Sequence, residues 1–121
     1  LDVVLDPQFA DNRTIFLSYA GKGRNGAQTT VMRAVLGDGE LSDRKVIFRQ
    51  EPGLDNGFHF GSRLVFGRDG LLYVTLGERN TLRDLAQDTS NTIGKVVRIT
   101  RDGDIPEDNP FRGQGRADPA V

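Results

Sequence analysis

His59 is the only histidine in 121 residues, and it stands in Asp55-Asn56-Gly57-Phe58-His59-Phe60-Gly61-Ser62-Arg63, flanked by aromatics and glycines. A histidine that is neutral near pH 7 takes a proton on one ring nitrogen while a nearby acceptor holds the other, and apolar neighbours favour the neutral form. That chemistry is general-base catalysis. A single histidine without a visible partner more often packs or hydrogen-bonds within its own loop, so residue type alone leaves both readings open. A second group, Glu78, Arg79, Arg83, Asp84, Gln87 and Asp88, crowds long polar side chains able to grip a sugar or an acidic cofactor. Taken singly, such residues are usually solvated loop charge. Arg79, Arg83 and Gln87 are the candidate substrate or cofactor contacts, chosen by location.

Three other motifs fail on context. Gly21-Lys22-Gly23-Arg24-Asn25-Gly26 fits the dinucleotide fingerprint, but Thr29-Thr30-Val31-Met32 follows it instead of a helix whose N-terminus could receive a pyrophosphate. The segment reads as a flexible loop. Asp102, Asp104 and Asp108 lack the spacing, central glycine and closing glutamate of a calcium loop, so no residue is assigned as a metal ligand. Asn12-Arg13-Thr14 fits a glycosylation sequon, but Asp11-Asn12 reads as a plain turn.

The elements that must position these loops are strands. Runs rich in β-branched and aromatic residues cover Asp2 to Leu5, Thr14 to Tyr19, Thr29 to Leu36, Lys45 to Arg49, Arg63 to Phe66, Leu71 to Leu76 and Lys95 to Thr100. Asp6-Pro7, Asp11-Asn12, Gly21 to Gly26, Asp38-Gly39 and Arg68-Asp69-Gly70 supply the turns. Leu82 to Asp88 is too short and polar for more than one helical turn. Asp38-Gly39-Glu40-Leu41 and Asp102-Gly103-Asp104-Ile105 each close a Val-rich, Arg-containing strand, which makes the pattern a repeat. The reading is all-β, about two four-stranded antiparallel blades of a β-propeller, with residues 1–50 the first blade and 51–121 the second. The same alternation also fits a seven-stranded sandwich.

Two blades do not close a ring, so a fragment is expected; Leu1 is not a methionine, and Pro119-Ala120-Val121 reads as the opening of a fourth strand in the second unit. In an antiparallel blade the loop entering the first strand and the loop leaving the second emerge on one face. Glu51 to Gly61 and Gly77 to Gly94 therefore share a face, together with Gly21 to Gln28, while Asp69-Gly70 and Asp102-Gly103 lie on the other. Function belongs with the long loops.

Bulk composition narrows the partners. Sixteen basic against seventeen acidic residues give a net charge of -1, so no basic field draws nucleic acid or anionic lipid. No apolar run reaches the ~20 residues that span a bilayer. The absence of cysteine excludes disulfides and thiolate metal sites and leaves the compartment open.

Several stretches resemble the soluble pyrroloquinoline-quinone-dependent sugar dehydrogenases, especially their aldose sugar dehydrogenase branch, of the glucose/sorbosone type. They are Leu1-Asp2-Val3-Val4-Leu5-Asp6-Pro7-Gln8-Phe9, His59-Phe60-Gly61-Ser62-Arg63-Leu64-Val65-Phe66 and Leu72-Tyr73-Val74-Thr75-Leu76-Gly77-Glu78. Ala86-Gln87-Asp88, Gly94-Lys95-Val96-Val97-Arg98-Ile99 and Ile105-Pro106-Glu107-Asp108-Asn109-Pro110-Phe111 complete the likeness. The resemblance implies a six-bladed parent of which this chain is about a third. It gives His59 the role of the base that takes the sugar's anomeric hydroxyl proton while hydride passes to the quinone. It also implies calcium, an aldose substrate, an external electron acceptor and a periplasmic or secreted location. The family's Gly-His-Arg-Asn stretch that binds the quinone, and its calcium ligands, would lie beyond Val121, so the isolated chain is expected to be inactive. Phe58 stands where the glucose-oxidising members place an acidic residue, so their sugar contacts do not transfer. Propellers of this architecture also serve as non-catalytic scaffolds or as protein- or carbohydrate-binding modules, which is the alternative reading.

Overall fold

Strands β1 (Asp2–Leu5), β2 (Thr14–Gly23), β3 (Gly26–Leu36) and β4 (Leu41–Arg49) pair in sequence order as one antiparallel sheet. A second antiparallel sheet is built the same way from β5 (Gly61–Phe66), β6 (Leu72–Leu76) and β7 (Val96–Ile99). The computed structural model describes residues 1–121. Each strand alternates faces, and the inward residues of both sheets meet in one core. Phe16, Val31 and Ile47 of the first sheet pack with Leu64, Leu72, Val74, Leu76, Val97 and Ile99 of the second. Phe16 and Phe66 join across the gap edge to face, with ring centroids 5.0 Å apart and planes inclined at 75°. Such a pair adds about 0.5–1.5 kcal/mol to the burial of its area. The outward faces stay apolar at Val3, Leu5 and Tyr19 on one sheet and at Val65 and Val96 on the other.

The glycine-rich segment is not a loop. The β2–β3 ladder runs on from Ala20↔Thr29 to Gly23↔Gly26, leaving only Arg24 and Asn25 to turn, with Gly26 at a φ of 118°. Its glycines make room for cross-strand side chains: a β-carbon on Gly21 would strike the Thr30 hydroxyl, and one on Gly23 the Gln28 amide. Backbone pairing thus overrides the turn propensity of glycine, because two long strands satisfy every ladder group that a loop would leave to water. β4 likewise starts at Leu41, ahead of the expected Lys45, directly after the Asp38-Gly39 turn.

Two smaller departures have local causes. Phe9–Asn12 forms a single helical turn, α1, where a plain Asp-Asn turn was expected, and Arg13 closes it in the left-handed region at φ 55°. Buried Asp6 anchors that turn by accepting from the Gln8 N–H at 2.8 Å and the Asn12 amide at 3.0 Å, and it pairs with Arg101. At the other end Pro119 to Val121 forms no strand. Ala120 still lies along β7, where its carbonyl accepts the Arg98 N–H at 2.8 Å and its side chain enters the core.

Candidate active site

The long loops do converge on one face. Leu54 bridges Ala27 at the tip of the β2–β3 hairpin by two N–H to carbonyl bonds of 2.9 Å, which brings the segment entering β5 over the first sheet. The Phe60 carbonyl then accepts the Thr29 hydroxyl at 2.9 Å and the Gly77 N–H at 3.0 Å. From below, the buried Gln50 amide donates to the Gly77 carbonyl at 2.8 Å, and that carbonyl also takes the Gly94 N–H at 3.2 Å. Residues 58–61 and 76–79 are therefore laid backbone against backbone. Only glycine fits at two of these places, since a β-carbon on Gly61 would stand 2.6 Å from the Gly77 nitrogen and one on Gly77 would overlap the His59 carbonyl.

This crowding shows in the dihedrals. His59, Gly61, Ser62, Arg79 and Asn80 all have positive φ, His59 at 46° and Ser62 at 93°. Non-glycine residues hold that region only where surrounding bonds over-determine the backbone, and such clusters mark functional sites.

The outcome is a pairing that the sequence did not announce: His59 Nδ1 lies 2.6 Å from Glu78 Oε1. The His59 side chain is half exposed and that of Glu78 about a quarter. The hydrogen bond from His59 is the leading cause that holds the Glu78 carboxyl below the usual carboxylate range, opposed by its partial desolvation. An ionised carboxylate is acceptor-only, so the proton of this bond sits on Nδ1 and the lone pair of a neutral ring is on Nε2, which makes no bond within the chain. A base held in one tautomer by an acid behind it is the arrangement by which enzymes orient a histidine. Glu78 was visible in the sequence as a member of a polar cluster but not as the partner of His59. The signal that finds it is its place immediately after β6, on the loop that shares a face with the His59 loop.

The other candidates fall in different places. Arg79 is completely buried, donating to the carbonyls of Phe58 (2.9 Å), Ala27 (2.8 Å) and Asn56 (2.9 Å) and to the Asn56 side-chain oxygen (3.0 Å). Its guanidinium carbon also stacks 4.0 Å from the Phe60 ring centroid, a contact worth about 0.5–2 kcal/mol. Desolvation lowers its pKa, and all its reach is spent inside the protein rather than toward a ligand. Arg83 opens the 3-10 turn Arg83–Gln87, is largely exposed, and approaches Glu78 with Nε at 3.9 Å while bonding the Asn80 oxygen at 2.6 Å. Gln87 ends that turn exposed, without a hydrogen bond to the pair. Lys95 ties the turn down by donating to the Leu85 and Ile93 carbonyls, both at 2.7 Å. No group of three or more histidine or carboxylate side chains converges to hold a metal ion.

Two face-to-face antiparallel sheets, with a histidine–carboxylate pair where the loops of one face meet, fit consecutive blades of a β-propeller, as the superpositions below show. The chain belongs to the glucose/sorbosone dehydrogenase family, whose model matches residues 1–121. It is 49% identical over 114 residues to the aldose sugar dehydrogenase YliI of Escherichia coli (strain K12), covering 92% of this chain and 30% of that protein. The crystal structure of the soluble aldose sugar dehydrogenase of Escherichia coli in its apo form superposes with a TM-score of 0.93 at 44% identity, over 100% of this chain and 35% of that one. The PQQ-bound aldose sugar dehydrogenase of Streptomyces coelicolor superposes with a TM-score of 0.75 at 27% identity, over 92% of this chain and 33% of that one. The chain thus spans about a third of the length of these relatives, and the superpositions set aside the sandwich alternative.

Proposed function

We propose that this chain contributes two blades, residues 1–50 and 51–121, to a pyrroloquinoline-quinone-dependent aldose dehydrogenase that oxidises the anomeric C1 hydroxyl of a sugar to the lactone. The observation that carries the proposal is the 2.6 Å contact between His59 Nδ1 and Glu78, which leaves Nε2 of a half-exposed ring without a partner in the chain and able to act as a base. In the reaction His59 Nε2 takes the proton of the C1 hydroxyl, and the positive charge that develops on the ring is balanced by the Glu78 carboxylate behind it. A positioned base of this kind is worth about 10²- to 10⁴-fold in rate. When bound, the quinone supplies the two-electron acceptor for the hydride leaving C1.

The donor set here fits the base side of such a site and one flank of an anionic cofactor. Arg83 is the exposed cation beside the pair, and Gln87 stands one helical turn further along. We assign both to the rim where sugar or quinone would lie. For calcium the fit fails within these residues, since no three carboxylate or histidine side chains converge, so its ligands belong elsewhere in the full-length protein. A periplasmic or secreted location and an external electron acceptor complete the proposal, and the isolated 121-residue chain is expected to be inactive.

The test is His59→Ala in the full-length protein, with aldose oxidation followed by dye reduction after loading with quinone and calcium. Turnover should fall by about 10²- to 10⁴-fold. Unchanged turnover would overturn the role of His59, and a wild-type protein that oxidises no aldose would leave the propeller as a binding scaffold.

A further inference from the structure

Arg79 carries a charge into a completely buried position without an acidic side chain within ion-pair distance. A buried cation is tolerated only when its donors are met, and here they are met by carbonyls from two separate stretches of chain. Ala27 belongs to the hairpin tip of the first sheet, and Asn56 and Phe58 to the segment leading to His59. Asn56 returns the contact, its side-chain amide donating to the Arg79 carbonyl at 3.2 Å. The Phe60 ring lies against the guanidinium on the far side of His59. Arg79 thus grips the residues before and after the histidine with its side chain. Its own backbone, at φ 59°, carries Glu78 as the preceding residue.

We propose that Arg79 is the positioning residue of the His59–Glu78 pair, fixing the separation of the two side chains by clamping the Phe58 and Asn56 carbonyls to the strand end that bears Glu78. This deepens the reading of His59 as a base and, in its kinetic arm, rests on it. A guanidinium is required because one planar fork reaches four acceptors in three directions, whereas a lysine ammonium reaches fewer and stacks poorly on Phe60. A residue that merely stabilised the fold would alter the unfolding midpoint and leave the tautomer of His59 untouched.

The experiment compares Arg79→Lys, Arg79→Met and the milder Asn56→Ala with wild type in the full-length protein. It records the long-range ¹H–¹⁵N spectrum of the His59 imidazole, assigned by His59→Gln, and kcat and KM for aldose oxidation. Wild type should show a single Nδ1–H species for the neutral ring. Arg79→Lys and Arg79→Met should show both tautomers and a kcat lowered about 10- to 100-fold, with KM within about threefold. Asn56→Ala should move both readouts in the same direction by less. Folded variants with the wild-type tautomer spectrum would overturn the proposal, and if neither Arg79 variant folds, the Asn56→Ala spectrum decides it. A wild-type protein without sugar oxidation defeats the functional reading alone, because the imidazole spectra still answer for Arg79.

Discussion

Gly77 is packed so closely against His59 that a β-carbon on it would overlap the His59 carbonyl oxygen. The same residue donates its N–H to the Phe60 carbonyl and accepts the Gln50 side-chain amide at its own carbonyl, so the position of the histidine segment is tied to the end of β6. Gly77→Ala is therefore expected to force the two segments apart. Overpacking of this kind costs about 1–3 kcal/mol, and the urea unfolding midpoint of the full-length protein should drop accordingly. Sugar oxidation should fall further than stability does, because the shift is centred on His59. A Gly77→Ala protein with wild-type midpoint and turnover would show that the contact is relaxed in solution.

Glu78 makes a prediction with a definite sign in pH. Its folded pKa lies below its ordinary value of 4.5, chiefly through the His59 hydrogen bond. A depressed carboxyl pKa means that the folded state binds the proton less readily than the unfolded state, so stability gained from ionised Glu78 is fully present above pH 4.5 and is lost as pH falls through the lower folded value. In Glu78→Gln that part of the acid dependence should vanish. The stability difference between wild type and Glu78→Gln should shrink as pH falls below 4.5, as read from denaturant midpoints across the acid range. A difference that grows on acidification would contradict the assignment.

The same variant should separate tautomer control from charge balance. Glutamine keeps an oxygen that can accept from Nδ1–H but brings no negative charge, so His59 retains an anchor while losing the counter-charge for the protonated ring. Turnover should fall by less than in His59→Ala, and the deficit should appear in kcat. Wild-type kcat in Glu78→Gln would remove the carboxylate from the proposed mechanism.

Phe16 joins the two sheets. It is fully buried on β2 and meets Phe66 of β5 edge to face. Phe16→Ala should cost about 3–5 kcal/mol, and because the residue lies between the sheets both should lose protection from amide exchange together. Loss confined to the first sheet would show that the two sheets are stabilised independently.

Much of the frame was legible in the order of residues. Val, Ile, Leu and Phe at alternate positions define a core face on each strand, and the Asp-Gly turns at 38–39 and 102–103 mark where the chain turns after a strand. Sequence alone gives a loop at the Arg24-Asn25 hairpin, because local glycine content carries no information on whether a partner strand will take up the ladder bonds.

The sequence by itself determined the strand pattern, the two loops that share a face and the singular position of His59. Only the tertiary structure decided what those loops do to one another. It brought Glu78 to His59 across 19 residues of chain, and it turned Arg79 from a candidate ligand contact into an internal clamp. The physical reason is that hydrophobic periodicity is a local signal, repeated along every strand. A hydrogen bond between two loops depends on close packing of Gly61 and Gly77 and on left-handed backbone at His59 and Arg79, which exist only once both sheets have formed.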